Sequence, residues 1–319
     1  MSLTARRPWG ALLLAVLMAA PTMKVVHAAA SPTSPGSAIH GSVPAHVAAT
    51  HKKKKKSAAH SSRKRARRAP PAGGVYARNA LVMDAQTGEV LYAKNADRVV
   101  PIASLSKLMT AMVFLDQNPD LEREVEVTRD EINGAGHTRL RNHEMVRLRD
   151  LLHMSLMCSD NCATRVIARE GGLSKDEFLA AMNRKSSELG LSHTHFLEFT
   201  GLDERNVSTA GDCARMLRAA ASNPVIQDIM TTRIYEFRSA SAPHTIVNTN
   251  RLLVYGRYDV RGGKTGFINE AGYCFATWVR TQGRDLVAVV LGAPTAATRF
   301  ADVVRLVQRT TSPTFAPSE

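Results

Sequence analysis

Strand-like segments stand at both ends of the foldable part of this chain, and a long helical stretch separates them. Ala80-Leu81-Val82-Met83-Asp84 and Glu89-Val90-Leu91-Tyr92-Ala93-Lys94 flank Ala85-Gln86-Thr87-Gly88 as the two arms of a hairpin. Near the other end, Gly262 to Phe267, Gly272 to Arg280 and Asp285 to Leu291 are β-rich, with Gln282-Gly283 as a tight turn. Connections this short leave no room for crossover helices, so these strands are expected to be antiparallel. From about Asn118 to Asp228 the pattern is mainly helical. Leu148 to Met157 reads as one amphipathic run, and Asn161 to Glu170 stops at Gly171-Gly172. Ser174 caps a helix that continues from Phe178 to Leu189, and another runs from Ser208 to about Ala221. Ala297 to Gln308 closes the chain as a helix with the stripe Phe300, Val303, Val304 and Val307. The fold class expected is α/β: an antiparallel sheet closed by the N- and C-terminal segments and flanked by helices. A mostly helical lobe is inserted, with the functional site at the junction. About 245 residues suffice for this as one domain or two lobes.

Composition matters mainly at the front of the chain. Arg6-Arg7, the apolar run Gly10 to Ala20 and Ala28-Ala29-Ala30 read as a cleaved export signal over residues 1–30, an uncleaved N-terminal anchor being the other reading. Residues 31–74 are rich in Ser, Pro, Ala and His and carry the runs 52–56 and 63–68 of Lys and Arg, a linker without apolar period that is expected to be disordered. Residues 1–72 hold thirteen of the 42 Lys and Arg and none of the 28 Asp and Glu, so the rest of the chain is close to neutral. The net charge of +14 therefore describes the tail. It suits a solvated spacer or electrostatic contact with an anionic wall or membrane surface. Nucleic acid would suit the same charges, but the export signal argues against it. The expected organisation is a signal over 1–30, a basic linker over 31–74, a catalytic domain over 75–310 and a tail over 311–319.

Three short motifs carry the chemistry. Ser104-Leu105-Ser106-Lys107 opens a helix whose apolar residues fall at 105, 108, 109, 112 and 113, one buried stripe, with Pro101 just before it. Ser104 and Lys107, three apart, share a face, which pairs a nucleophile with a base. Ser159-Asp160-Asn161 follows the helical run ending at Met157, and Lys264-Thr265-Gly266 opens the C-terminal strands. The order Ser-x-x-Lys, Ser-Asp-Asn, Lys-Thr-Gly is that of penicillin-binding proteins and class A β-lactamases. A metal site is not indicated: His143-Glu144-Met145-Val146-Arg147 begins like a zinc helix but has arginine where the second histidine belongs. No cofactor motif is present. Cys158, Cys162, Cys213 and Cys274 are read as small buried thiols; Cys158 and Cys162, four apart on one helix, are poorly placed for a disulfide.

Residues 97–113, Asp97-Arg98-Val99-Val100-Pro101-Ile102-Ala103-Ser104 onward, resemble the low-molecular-mass penicillin-binding proteins of the D-alanyl-D-alanine carboxypeptidase/endopeptidase family. Thr200-Gly201-Leu202, Asn206-Val207-Ser208-Thr209-Ala210, Asn248-Thr249-Asn250 and Lys264-Thr265-Gly266-Phe267 match as well, and the similarity covers roughly 76–310. The endopeptidase branch is the most similar, Phe199 standing where that branch is expected to have proline. The resemblance implies a penicillin-binding-protein/β-lactamase-like fold and a periplasmic or secreted serine DD-peptidase acting on peptidoglycan peptides, with β-lactams as covalent inhibitors. It implies Ser104 as nucleophile, Lys107 as its base and Ser159 as proton relay. Asn161, Lys264, Thr265, Gly266 and Phe267 would bind substrate, the oxyanion lying between the N–H groups of Ser104 and Phe267. Many carboxypeptidases of the family carry a further C-terminal domain, and only a short segment follows Gln308, so cleavage of cross-links (endopeptidase) is expected ahead of trimming of pentapeptides (carboxypeptidase). A class A-like β-lactamase is disfavoured because no Glu-x-x-Leu-Asn lies between the second and third motifs. A non-catalytic wall-binding protein is disfavoured because a lysine beside a serine has no evident structural use.

Overall fold

The computed structural model of the chain describes residues 74–256 and 258–312. The segment expected to be an export signal, all but the last residue of the expected linker and most of the expected tail lie outside the described residues.

Five antiparallel strands form the central sheet in the order Val90–Lys94, Asn79–Asp84, Arg284–Ala293, Gly272–Thr281, Asp259–Ile268. The two ends of the chain meet in its middle, where Leu81 pairs with Val289 and Val82 with Ala288. Alternate residues feed two separate cores. Ala80, Val82, Phe275, Ala288 and Val290 face one side, where they pack with Phe300, Val303, Leu306 and Val307 of the C-terminal helix Ala296–Thr311. Leu81, Met83, Ala276, Val287 and Val289 face the other side and the helical lobe. A strand buried on both faces reads as a continuous apolar run, as Leu286 to Leu291 does. Each such side chain fully withdrawn from water contributes roughly 1.5–3 kcal/mol. Asp302 ties the start of the domain to the C-terminal helix by accepting the N–H groups of Tyr76 at 3.1 Å and Ala77 at 2.7 Å.

The helix after Ser104, Lys107–Asp116, differs from its one-stripe expectation. Every residue from Lys107 to Phe114 is buried, because the Lys175–Glu188, Asn161–Arg169 and Ala210–Ala221 helices all pack around it. It is the axis of the lobe, and a central helix loses its polar face. Two more expectations change inside the lobe. The run 148–157 is an α-helix only over Leu148–His153, and Met154–Cys158 widens into a π turn. The lobe also contains β structure, with Glu124–Glu126 paired to Met145–Arg147, and the hairpin of Ile234–Arg238 and Pro243–Val247 follows it. These strands are too short, at three to five residues, for an alternating period to stand out.

Candidate active site

Ser104 sits where the chain turns from a short strand into the central helix. Val100–Pro101 pairs with Val207–Ser208, and the Ile102 N–H donates to the Asn206 carbonyl at 3.1 Å. Ala103 then takes a left-handed backbone, φ 50°, an uncommon state for a residue with a Cβ. The turn that follows, Ala103–Ser106, is a 3-10 turn rather than the first turn of the α-helix. In a 3-10 turn residues i and i+3 eclipse, which brings Lys107 over Ser104. The Lys107 Nζ donates to Ser104 Oγ at 3.0 Å, to Asn161 Oδ1 at 2.6 Å and to the Thr200 carbonyl at 2.6 Å. Ser104 itself is only half-buried, so its hydroxyl can be reached.

Burial is the main reason the Lys107 ammonium is pushed down to about 7 from 10.5; Glu198 and Asp160 pull it back up, and Arg165 opposes them. A lysine at that value is neutral in about half of the molecules at pH 7, and in that form it can accept a proton.

The π turn presents the second motif. Its wide loop ends with the Asp160 N–H donating to the Met154 carbonyl at 3.1 Å, and Ser159 takes φ 64°. Asp160 caps the next helix by accepting the Ala163 N–H at 2.9 Å. That fixes Asn161, whose Nδ2 donates to the Ala135 carbonyl at 2.8 Å while its Oδ1 faces Lys107. Cys158, half-buried, donates to the Met154 carbonyl at 3.2 Å, and burial pushes its thiol up to about 11. The other three cysteines are buried, and none of the four is in a disulfide.

The third motif lies on Asp259–Ile268, the edge strand of the sheet. Lys264 Nζ donates to Ser159 Oγ at 2.8 Å and to the Thr265 carbonyl at 3.0 Å. Burial pushes Lys264 well below its ordinary value, and the charge of Lys107 pushes it further. The Thr265 hydroxyl donates to Thr249 Oγ1 at 2.8 Å, and Thr249 Oγ1 donates to the Met157 carbonyl at 3.0 Å, so the strand is laced to the π turn. Gly266 lies flat against the Ser104 turn: a Cβ there would come within 3.0 Å of the Ser104 nitrogen. Phe267 is exposed and stacks on Tyr273 with ring centroids 4.2 Å apart.

All eight residues singled out in the sequence therefore fall in one region: Ser104, Lys107 and Asn161 share hydrogen bonds, as do Ser159 and Lys264, and Thr265 to Phe267 border them. Sequence reasoning assigns no role to the Thr200 carbonyl, Glu198, Asn206, Thr249 or Arg299. Thr200, Asn206 and Thr249 lie in the matched segments, which is the signal that points to them. Arg299 has none: it donates from the C-terminal helix to the Gly266 carbonyl at 3.1 Å.

The D-alanyl-D-alanine carboxypeptidase family model matches residues 64–295. The chain belongs to that family. This D-alanyl-D-alanine peptidase is 39% identical over 233 residues to a D-alanyl-D-alanine endopeptidase of Pseudomonas aeruginosa, the match covering 72% of this chain and 75% of that one. It is 36% identical over 233 residues to the D-alanyl-D-alanine endopeptidase of Escherichia coli, with the same coverage. Among solved structures it resembles the Streptomyces DD-transpeptidase, with TM-score 0.69 and 27% identity over 73% of this chain and 96% of that one. A putative penicillin-binding protein homolog from Mycobacterium tuberculosis gives TM-score 0.68 at 29% identity, covering 77% and 95%. The peptidase thus has the penicillin-binding-protein fold, antiparallel sheet with flanking helices and helical lobe, that the resemblance implies.

Proposed function

We propose that this serine DD-peptidase is exported and hydrolyses the D-Ala cross-links of peptidoglycan as an endopeptidase, through an acyl-enzyme on Ser104. One observation carries the acyl-enzyme: Lys107 Nζ stands 3.0 Å from Ser104 Oγ, with Asn161 and Thr200 fixing it from behind. The endopeptidase reading is supported by the likeness to the two endopeptidases. Neutral Lys107 takes the Ser104 proton as Oγ attacks the D-Ala carbonyl. The N–H groups of Ser104 and Phe267 receive the oxyanion, an interaction that for one donor is worth about 2.7–4 kcal/mol. Ser159, held by Lys264, passes a proton to the leaving amine. A free sheet edge accepts an extended peptide as an added strand, so the 264–267 segment takes the acyl-donor peptide alongside Thr265. β-Lactams enter the same path and acylate Ser104.

The endopeptidase assignment is tested by digesting purified cross-linked dimers and uncross-linked pentapeptides side by side. Loss of dimers is the expected result. Trimming of the pentapeptide with dimers intact contradicts it and makes the protein a carboxypeptidase, the activity named by the family model.

Two further outcomes are expected. Acylation by penicillin rises with pH as Lys107 loses its proton, so the rate at pH 6 is about a tenth of its plateau. A flat profile between pH 6 and 8 excludes Lys107 as base. The basic segment, with its runs at 52–56 and 63–68, is assigned to contact with an anionic wall or membrane surface. Deleting residues 31–72 lowers binding to purified cell walls at low salt and leaves acylation unchanged; equal binding with and without the segment rules the contact out.

A further inference from the structure

Glu198 belongs to none of the three motifs, yet the loop that receives Lys107 is folded around it. Its carboxylate accepts the Thr200 N–H at 2.7 Å, the Thr200 hydroxyl at 2.7 Å, the Gly201 N–H and the Asn206 amide at 3.2 Å. Asn206 ties the same loop to the nucleophile turn. It donates to the Glu198 carbonyl at 2.8 Å and to Ser106 Oγ at 3.1 Å, and Ser106 Oγ donates to the Ala103 carbonyl at 2.9 Å. From the other side, Gly201 packs directly on Ala103 and Ser104. The loop and the Ser104 turn are thus one hydrogen-bonded unit, and the Thr200 carbonyl at its centre takes the Lys107 proton donor at 2.6 Å.

We propose that Glu198 is a positioning residue of the acyl-transfer reaction: its carboxylate folds the Thr200-Gly201 turn so that the Thr200 carbonyl holds Lys107 against Ser104, and its charge balances that of Lys107. A carboxylate suits the task because every one of these bonds is accepted, and an amide would turn a donor on some of them. Among the charges that act on Lys107, Glu198 has the largest pull; Asp160 acts in the same direction and Arg165 against. The other titratable groups beside it are Lys264 and the Cys158 thiol, which is neutral near pH 7. Glu198 also lines a cavity of about 960 Å³ whose other charged groups are Asp130, Glu131, Arg165, Arg169, Lys175 and Asp203. The inference rests on Lys107 being the base for Ser104.

The test compares acylation by a fluorescent penicillin from pH 5 to 9 in the wild type, Glu198→Gln and Asn206→Ala. Glu198→Gln is expected to acylate about tenfold more slowly at its plateau, because buried donors lose their acceptor. Its rising limb is expected to move down by about one pH unit, because the charge that favours protonated Lys107 is gone. Asn206→Ala removes bonds without removing that charge, so it slows acylation with the limb in place. Should Glu198→Gln fail to fold, Glu198→Asp keeps the charge but draws the carboxylate back from the turn; it is expected to slow acylation with the limb close to its wild-type position, and a wild-type rate in that variant overturns the inference. A neutral variant whose limb stays at the wild-type position overturns the inference, as does a limb that moves equally in Asn206→Ala. The wild-type profile separates the two claims: a profile flat between pH 6 and 8 refutes Lys107 as base, whereas a rising wild-type limb that stays in place in Glu198→Gln refutes only the role of Glu198.

Discussion

Lys107→Ala is expected to acylate with penicillin about a thousandfold more slowly than the wild type, within the range that a positioned general base contributes. The substitution removes the only side chain that bonds Ser104 Oγ in the structure's described residues and strips Asn161 Oδ1 and the Thr200 carbonyl of a donor. Lys107→Arg decides what is lost. Arginine restores a cation and donors but does not give up its proton, so it should be as slow as alanine if basicity is what matters. Stopped-flow rates with a fluorescent penicillin, at equal folded fraction, check both. Recovery of more than a tenth of the wild-type rate in Lys107→Arg would assign the residue to electrostatics instead of proton transfer.

Gly201→Ala should be the most damaging change outside the titratable groups. Gly201 sits at φ 84°, where residues other than glycine are strained, and an added Cβ would collide with the Ala103 carbonyl and reach 2.8 Å from the Ser104 nitrogen. Neither contact can be relieved by rotating a side chain, since both partners are backbone atoms. Relief requires the Thr200-Gly201 turn and the Ser104 turn to separate, which lengthens the Lys107–Thr200 bond and shifts the nitrogen proposed to meet the oxyanion. A loss of about 3 kcal/mol or more in unfolding free energy is expected, with acylation of the remaining folded protein down at least about a hundredfold. Thermal melts and acylation rates measure the two effects separately. An unchanged melting temperature would mean that the two turns are not packed as described.

The contrast between Lys107 and Gly201 shows what the sequence makes legible. Lys107, Ser159 and Lys264 stand in motifs whose chemistry is local, and the strand at 284–293 announces itself by an apolar run that needs only its own residues to be read. Gly201 lies in a segment that matches the family, but its reason for being glycine is a backbone 98 residues earlier in the chain, and nothing in its neighbours shows that. The same holds for the Thr200 carbonyl: every residue has one, so no pattern marks the one that holds Lys107. Periodicity reports apolar positions only and so predicts a single buried stripe for the helix at 107–116; that Thr110 and Lys107 are buried too follows from three helices packing around it. The π turn at 154–158 is hidden for a related reason. Met154, Leu156 and Met157 are good helix formers, and the wide turn closes on the Ser159 and Asp160 backbone beyond it.

The acyl-enzyme is proposed to form on one hydroxyl, that of Ser104. Intact-mass and peptide-mapping mass spectrometry of the full chain after exposure to benzylpenicillin tests it most directly. One covalent adduct per molecule is expected, located at Ser104 and absent from Ser104→Ala. An adduct on another residue, or consumption of the penicillin with no adduct at any time, would contradict it.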